Sequence, residues 1–457
     1  MEKPKYRVAI ISDLHLGEGW KADGHLDRNE DFFFDASFAR FLDYLMQEAN
    51  DSDSIYRLLI NGDFVDFLQF TSVPEGGGLD GEPVDRKEQK FGLGTGAKKT
   101  CYKLELLFAG HEIFFRALAA FVGAGNELII SPGNHDIEWI IPEVRDNFKT
   151  RLGCLWSEAG GKDTAALKKR ISFSSWYYHD PVYGIFAEHG CQYDDANSYD
   201  YLLSPFRQDG TMELPAGSFF VRYLFNQVEQ LYPFADNLKP MTKFIRWAAQ
   251  QRKMYTRGEI FKVIRSLMWI LGKASPIPAD WAEKMHKRQE QTLAKLASES
   301  GLSIPELHKL QSHWVPSAIH HKGSLRLLRS FLVNSKLDHH YYRIKACAAE
   351  SIVRSRYLIF GHTHEADLFE IRRVAGVKHE YVNSGSWTKN WAASHEEALL
   401  KSENEFVYIH FGHDEEKQAV RMDLLRWDDG LGQGERVRIF ADENNDDIKK
   451  CQDQAKE

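Results

Sequence analysis

The chain is expected to fold as a layered α/β core interrupted by a helical insertion. Three observations carry that expectation: short runs rich in Ile, Val and Tyr recur along the sequence, helical periodicity separates the first of them, and the long stretch 196–350 carries helical patterns alone. The strand runs are 6–11 (YRVAII), 55–60 (IYRLLI), 127–131 (ELIIS), 183–187 (YGIFA), 356–360 (RYLIF), 380–383 (EYVN) and 405–411 (EFVYIHF). Between the first few lie helical patterns such as 36–49 and 102–122. Strands that alternate with helices describe a layered α/β protein.

At 457 residues the chain can hold one large domain with an insertion, or two to three domains. Its apolar share of 43% and charged share of 27% are ordinary for a globular protein. The net charge of −8 argues against a non-specific grip on nucleic acid by the whole chain. That charge is unevenly spread. Residues 196–350 hold 22 Lys and Arg against 13 Asp and Glu, a charge of +9, while the rest, with 36 basic and 53 acidic residues, carries −17. The cations of this basic insertion either decorate solvated helix faces or meet an anionic substrate. Apolar stripes support its helices: Phe220, Leu224, Val228 and Leu231 share one face, and Ile260, Ile264, Leu267, Met268 and Leu271 another. The expected division is a core of 1–195 and 351–442, an α-helical insertion (cap) of 196–350, and a disordered tail of 443–457.

The five cysteines, at 101, 154, 191, 347 and 451, are scattered and lack CxxC spacing. This predicts a reducing compartment and no thiolate zinc site. The N-terminal MEKPKYRVAIISDLHL offers too short an apolar run for a signal peptide, and no run of roughly 18 apolar residues occurs, so a cytoplasmic protein without a spanning helix is expected. The Gly-rich segment 74–96 follows no strand and lacks Walker spacing, and reads as a mobile loop.

Every motif with chemical promise follows a strand run. They are Asp13-Leu14-His15, Gly62-Asp63-Phe64-Val65-Asp66, Gly133-Asn134-His135-Asp136, Glu188-His189-Gly190 and Gly361-His362-Thr363-His364. Each alone has a bland reading as turn chemistry. Together they gather, because in α/β sheets functional groups collect beyond the carboxyl ends of the strands. Asp, His and Asn without Cys form the ligand set of hydrolytic sites for Mn, Fe or Zn. His362 and His364 can face one centre from a turn, and Asp63 can bridge two ions. His179, in WYYHDP, competes with His189 as a ligand, although FAEHG puts His189 at a strand end.

The ordered series DxH, GDxxD, GNHD, HG and GHTH closely resembles that of the calcineurin-like metallophosphoesterases, which include purple acid phosphatases, protein serine/threonine phosphatases and many bacterial phosphodiesterases. The resemblance covers roughly 13–190 and 356–388 and omits the insertion. It implies a metallophosphoesterase-type sandwich of two mixed β-sheets flanked by helices, with two divalent metal ions at the strand ends. Asp13, His15 and His364 would hold one ion, Asn134, His189 and His362 the other, and Asp63 would bridge them. Manganese is the expected metal, with iron or zinc as alternatives. His135 would donate to the phosphate and protonate the leaving oxygen, oriented by Asp66. The implied reaction is in-line attack of activated water on phosphorus, without a phosphoenzyme.

Departures narrow the substrate. Protein serine/threonine phosphatases carry Arg after GDxxD and end the third motif in Glu; here Phe67 and Asp136 stand there. The segments AEHGCQYDDAN and YVNSGSW resemble bacterial UDP-2,3-diacylglucosamine hydrolases, yet the insertion is far longer and His135 occupies the position of their GNRD arginine. The insertion joins basic charge to aromatics such as Phe219, Phe220, Tyr223, Phe225, Trp247 and Trp269. The expected substrate is therefore a phosphodiester or pyrophosphate that is amphiphilic or bears a nucleotide. Two alternatives are a nuclease for single-stranded nucleic acid and a non-enzymatic metal-bound scaffold, which would be expected to have lost a ligand or His135.

Overall fold

Alternation along the first strand decides the architecture. Val8 and Ile10 point to one face, Ala9 and Ile11 to the other, and all four are fully buried. A strand buried on both faces needs a layer on each side. The computed structural model, which describes residues 6–76, 78–79, 81–226, 277–318, 339–388, 405–414 and 419–437, supplies those layers.

The first part of the chain runs β1 (Tyr6–Ile11), α1 (Asp35–Asp51), β2 (Ile55–Asn61), β3 (Gly78–Leu79), β4 (Glu82–Pro83), α2 (Glu88–Phe91), α3 (Ala97–Gly110), α4 (Glu112–Gly123) and β5 (Glu127–Ser131). Then come α5 (Pro142–Glu158), α6 (Thr164–Lys169), β6 (Ile171–Phe173), β7 (Tyr177–Asp180), β8 (Ile185–Glu188) and α7 (Ala216–Phe220). The helices α8 (Ala279–Ser300), α9 (Ile304–Gln311) and α10 (His339–Val353) follow. The last strands are β9 (Tyr357–Phe360), β10 (Ala366–Val374), β11 (Val377–Ser384), β12 (Val407–Asp414), β13 (Ala419–Asp428) and β14 (Gln433–Arg436).

Two mixed sheets result. One has seven strands in the order β14-β13-β12-β1-β2-β5-β6, parallel from β1 through β6 and antiparallel on the β12 side. The other has five, β10-β11-β9-β8-β7, with β8, β9 and β11 parallel. Val8, Ile10, Leu59, Ile185, Ile359, Val382 and Ile409 fill the space between them. On the outer face of the first sheet, α1 buries Phe38, Phe41, Leu42, Leu45 and Ala49 at helical spacing. Each such large side chain contributes about 1.5–3 kcal/mol by leaving water. On the second sheet α10 lays Tyr342 and Ala346 near Phe360.

Several expectations change. All seven strand runs are present, 6–11 and 127–131 with their expected ends and the others with shifted ends, and β6, β7, β10, β13 and β14 join them. The helix expected over 102–122 is two helices meeting at 95°. At the break Gly110 packs closely on the loop after β1, since a Cβ there would lie 1.8 Å from Glu18 O. The segment 74–96 is not a bare loop; it holds the β3–β4 hairpin and α2, where buried Glu88 accepts from Gly94 N and Lys99 Nζ. Cys347 is disulfide-bonded, against the reading of reduced thiols, while Cys101, Cys154 and Cys191 are free. Among described residues of 196–350 the named elements are helical. The stripe residues Val228, Leu231 and 260–271, Trp247, Trp269 and the tail 443–457 lie outside the described residues. No single helix among those described is long and apolar enough to cross a membrane.

The α3–α4 corner carries a buried charge. His111 donates from Nδ1 to Asp35 Oδ1 at 3.0 Å and from Nε2 to Glu30 Oε2 at 3.2 Å. Glu30 also accepts from the backbone N–H of Gly17, Gly19 and Phe32, so the pair ties the loop after β1 to the helices. Burial lowers the pKa of His111, but Glu30 and Asp35 outweigh it and lift it to about 9 from 6.5. The stability gained is full below pH 6.5 and is lost as pH rises through about 9. The loss is on the order of 3 kcal/mol. Urea unfolding near pH 6 and pH 9.5 should show this fall, and His111→Gln should be weaker at the lower pH with a flatter profile. Parallel profiles for the two proteins would refute it.

Candidate metal centre

Strands of both sheets end at one place. Beyond β1 stand Asp13 and His15, beyond β2 Asp63 and Asp66, and beyond β5 Asn134 and His135. The five-stranded sheet brings His189 beyond β8, and His362 and His364 beyond β9. These nine residues meet although His15 and His364 are 349 positions apart. Ligand-type atoms of seven of them form three overlapping groups, each within 4.8 Å: Asp13, His15 and His364; His15, Asp63 and His135; Asp63, His189 and His362.

The backbone is bent to deliver them. Of ten non-glycine residues with positive φ among those described, five are Asp13, His15, Asp63, His362 and His364, at 50–69°. Left-handed backbone costs an L-residue roughly 1–2 kcal/mol, and such clustering marks places where geometry outranks local preference. Gly62, at φ +87°, leaves no room for a side chain: a Cβ would sit 2.4 Å from His189 Nδ1. Gly133 is forced by close approach, since its Cβ would fall 2.1 Å from Asp63 Oδ1.

Buried carboxylates dominate the electrostatics. Asp13 and Asp63 are almost wholly inaccessible. Burial raises the pKa of Asp13, yet its hydrogen bond and charge interaction with His364 bring it down to about 2. Asp63 is likewise pulled well below its usual range, against burial, by His189 and His135. Asp13 lies 3.3 Å from His364 Nε2 and accepts from His362 N at 3.2 Å. Asp63 Oδ1 accepts from His135 N at 2.9 Å. Asp66, also held at about 2 by His135 and His15 against burial, is ionised and accepts from His135 Nδ1 at 2.6 Å.

Several atoms are poorly accounted for by protein alone. His15 Nε2 and His364 Nε2 face each other at 3.1 Å beside Asp13. His189 donates Nδ1–H to Asn61 O at 3.0 Å, which in the neutral ring aims the Nε2 lone pair at Asp63 Oδ2, 3.1 Å away. A lone pair facing a carboxylate repels it, so a proton or a metal cation must lie between. Asn134 Oδ1 is buried without a hydrogen-bond partner among the described residues. Such orphaned acceptors cost roughly 1–3 kcal/mol unless something binds them. The donor set therefore fits divalent cations.

Supporting residues were harder to anticipate. Asp194 Oδ2 lies 3.3 Å from His362 Nε2, and its neighbour Asn197 accepts from Asn134 Nδ2 at 3.4 Å. Nothing but an acidic pair soon after His189 hinted at this. Asp136 accepts from Gly133 N, Phe64 N and Trp139 Nε1, stapling the β5 turn to the β2 turn. Ser386 Oγ donates to Asp13 O, and Asn383 Nδ2 to Gly361 O, which gives YVNSGSW a clamping role. The segment after residue 196 reaches the same turn, where Tyr199 Oη and Ser218 Oγ both donate to Asn134 O. His179 stands elsewhere, its Nδ1 donating to Ser300 O at 2.8 Å.

Gly133→Ala should lower stability by roughly 2–4 kcal/mol, since backbone and a buried carboxylate would both have to give way. Denaturant unfolding tests this. An alanine variant as stable as the parent would mean that the turn relaxes freely.

Residues 6–215 match the family model described as calcineurin-like phosphoesterase. No curated protein and no solved structure matches the chain. The matched span includes the ends of β1, β2, β5 and β8, while His362 and His364 lie beyond it. Over residues 6–215, with the two-sheet fold built around them, the chain is similar to the calcineurin-like phosphoesterase family.

Proposed function

We propose that the chain hydrolyses a phosphodiester or pyrophosphate bond at a centre of two divalent cations. The reading rests above all on the overlap of the ligand groups, in which Asp63 stands between the His15 side and the His189–His362 side. Asp13, His15 and His364 would hold one ion, Asn134, His189 and His362 the other, with Asp63 shared. When bound, two such ions (manganese, with iron or zinc as alternatives) polarise the phosphoryl group and make water a competent nucleophile near neutral pH.

The chain's own residues divide the remaining work. Asn134 contributes a neutral oxygen, which keeps the centre less negative towards an anionic substrate. The His135 side chain, 16% exposed against 1% for Asp66, is the one able to reach substrate. With Nδ1–H committed to ionised Asp66, its Nε2 edge is the proton donor. Water attacks phosphorus in line, the opposite P–O bond breaks, and the proton of His135 passes to the departing oxygen. Asp66 acts through His135 and positions it.

The cap reading of 196–350 gains support from the contacts of Tyr199 and Ser218 with the Asn134 turn. An amphiphilic or nucleotide-bearing substrate suits its mixture of basic and aromatic residues. The charge of +9 there also favours a second reading, in which the diester belongs to single-stranded nucleic acid. Binding that weakens steeply with salt would select the second reading.

The decisive assay is Mn²⁺-dependent hydrolysis of bis(p-nitrophenyl) phosphate, with bound metal counted by elemental analysis. His135→Ala should lose roughly 10²–10⁴-fold in kcat and keep the parent's metal content. Asp66→Asn should lose less. If His135→Ala sheds metal along with activity, His135 is a ligand, as its grouping with His15 and Asp63 allows.

A further inference from the structure

A cavity of mixed polar and apolar lining opens away from the metal centre, where the edge strands β6 and β7 of the two sheets lie beneath α8. It encloses about 340 Å³, and none of the nine site residues lines it. Its floor is fixed by Tyr177 and His179, which bond to Ser300 Oγ and Ser300 O at the end of α8.

One wall is Arg145. Its Nε donates to Trp139 O, but Nη2 is buried and has no hydrogen-bond partner among the described residues. The guanidinium carbon sits 5.4 Å above the Phe173 ring, and Lys149 Nζ lies 5.7 Å from the same ring. The one carboxylate acting on Arg145 is Asp146, and burial still pushes the guanidinium down to about 10. Burial lowers Lys149 too, again offset in part by Asp146. Across the cavity, Lys295, itself largely exposed, lines the rim beside Glu299, 3.7 Å away and also exposed. Ser172 and Ser175 add hydroxyls. A buried guanidinium N–H without an acceptor, as at Nη2, carries an unmet desolvation demand, and an arginine fork with nearby hydroxyls is suited to phosphate.

We propose that this cavity is a binding site for a phosphomonoester, with the phosphate on Arg145 and the organic part against Phe173 and Tyr177. The volume favours this over bare phosphate, since it lies within the range of small-molecule sites. The inference is independent of the hydrolytic reading, because it uses no residue of the metal centre.

Isothermal titration of the full chain with AMP, glycerol 3-phosphate and inorganic phosphate tests it, each run with and without EDTA so that binding at the metal centre is separated. The expected result is an EDTA-insensitive site that prefers an organic phosphate to inorganic phosphate. Ser175→Asp, which introduces a like charge at a partly exposed position, should weaken it at least tenfold, as should Arg145→Met. Both should leave bis(p-nitrophenyl) phosphate hydrolysis near the parent level. If Arg145→Met fails to fold, Ser175→Asp together with Lys295→Glu decides. Absence of EDTA-insensitive binding, or affinity unchanged in Ser175→Asp, overturns the proposal; inorganic phosphate binding as tightly as both esters overturns the ester assignment.

Discussion

The structure turns on two carboxylates, Asp13 and Asp63, held ionised where water scarcely reaches. Charges so buried are tolerable only when positive charge or donors surround them. The surroundings answer that demand from both sheets: imidazoles of His189 and His364 arrive from one, the backbone N–H of His135 from the other. The seam between the sheets is thus tied by electrostatics at its upper edge and by Val8, Ile10, Ile185 and Ile359 below. The left-handed residues and the crowded glycines follow from the same demand, because each turn must bring its side chain into a volume already filled with oxygen and nitrogen.

Much of this was legible because strand ends are written locally. YRVAII and ELIIS are buried on alternating faces, so their apolar runs stand out, and the polar residues just beyond them read as turns with chemistry. The strands that escaped have a solvated face. In β10, ADLFEIRRV, charges interleave with apolar residues and much of the strand is only partly buried; β13 behaves alike. β6 has three residues and β7, YYHD, is mostly polar. Helix 102–122 looked continuous because neither the contact of Gly110 with Glu18 nor the pairing of His111 with Glu30 leaves a mark on helical periodicity.

The site divides similarly. Residues in the five motifs could be named, because their types and order carry the chemistry. Asp194 and Glu30 could not, nor could the backbone partners of Asp136, since an acidic residue in a loop gains meaning only from the backbone that reaches it in three dimensions. Arg145 belongs with them: in sequence it is one cation on an amphipathic helix, and its orphaned Nη2 exists only because Trp139 and Phe173 close over it.

The 349-residue gap between His15 and His364 has a consequence for synthesis. At ribosomal speeds of about 5–20 residues per second, roughly 20–70 s separate their emergence. For that interval the chain presents Asp13, Asp63 and Asp66 without the two histidines of β9 that complete the ring. The sheet between β1 and β6 can form early from nearby parallel strands, but the other edge waits for β12, which pairs with β1 across about 400 residues. A nascent chain therefore carries an open sheet edge and half a candidate cation site until β9 and β12 have emerged, and the cluster is completed late and at once.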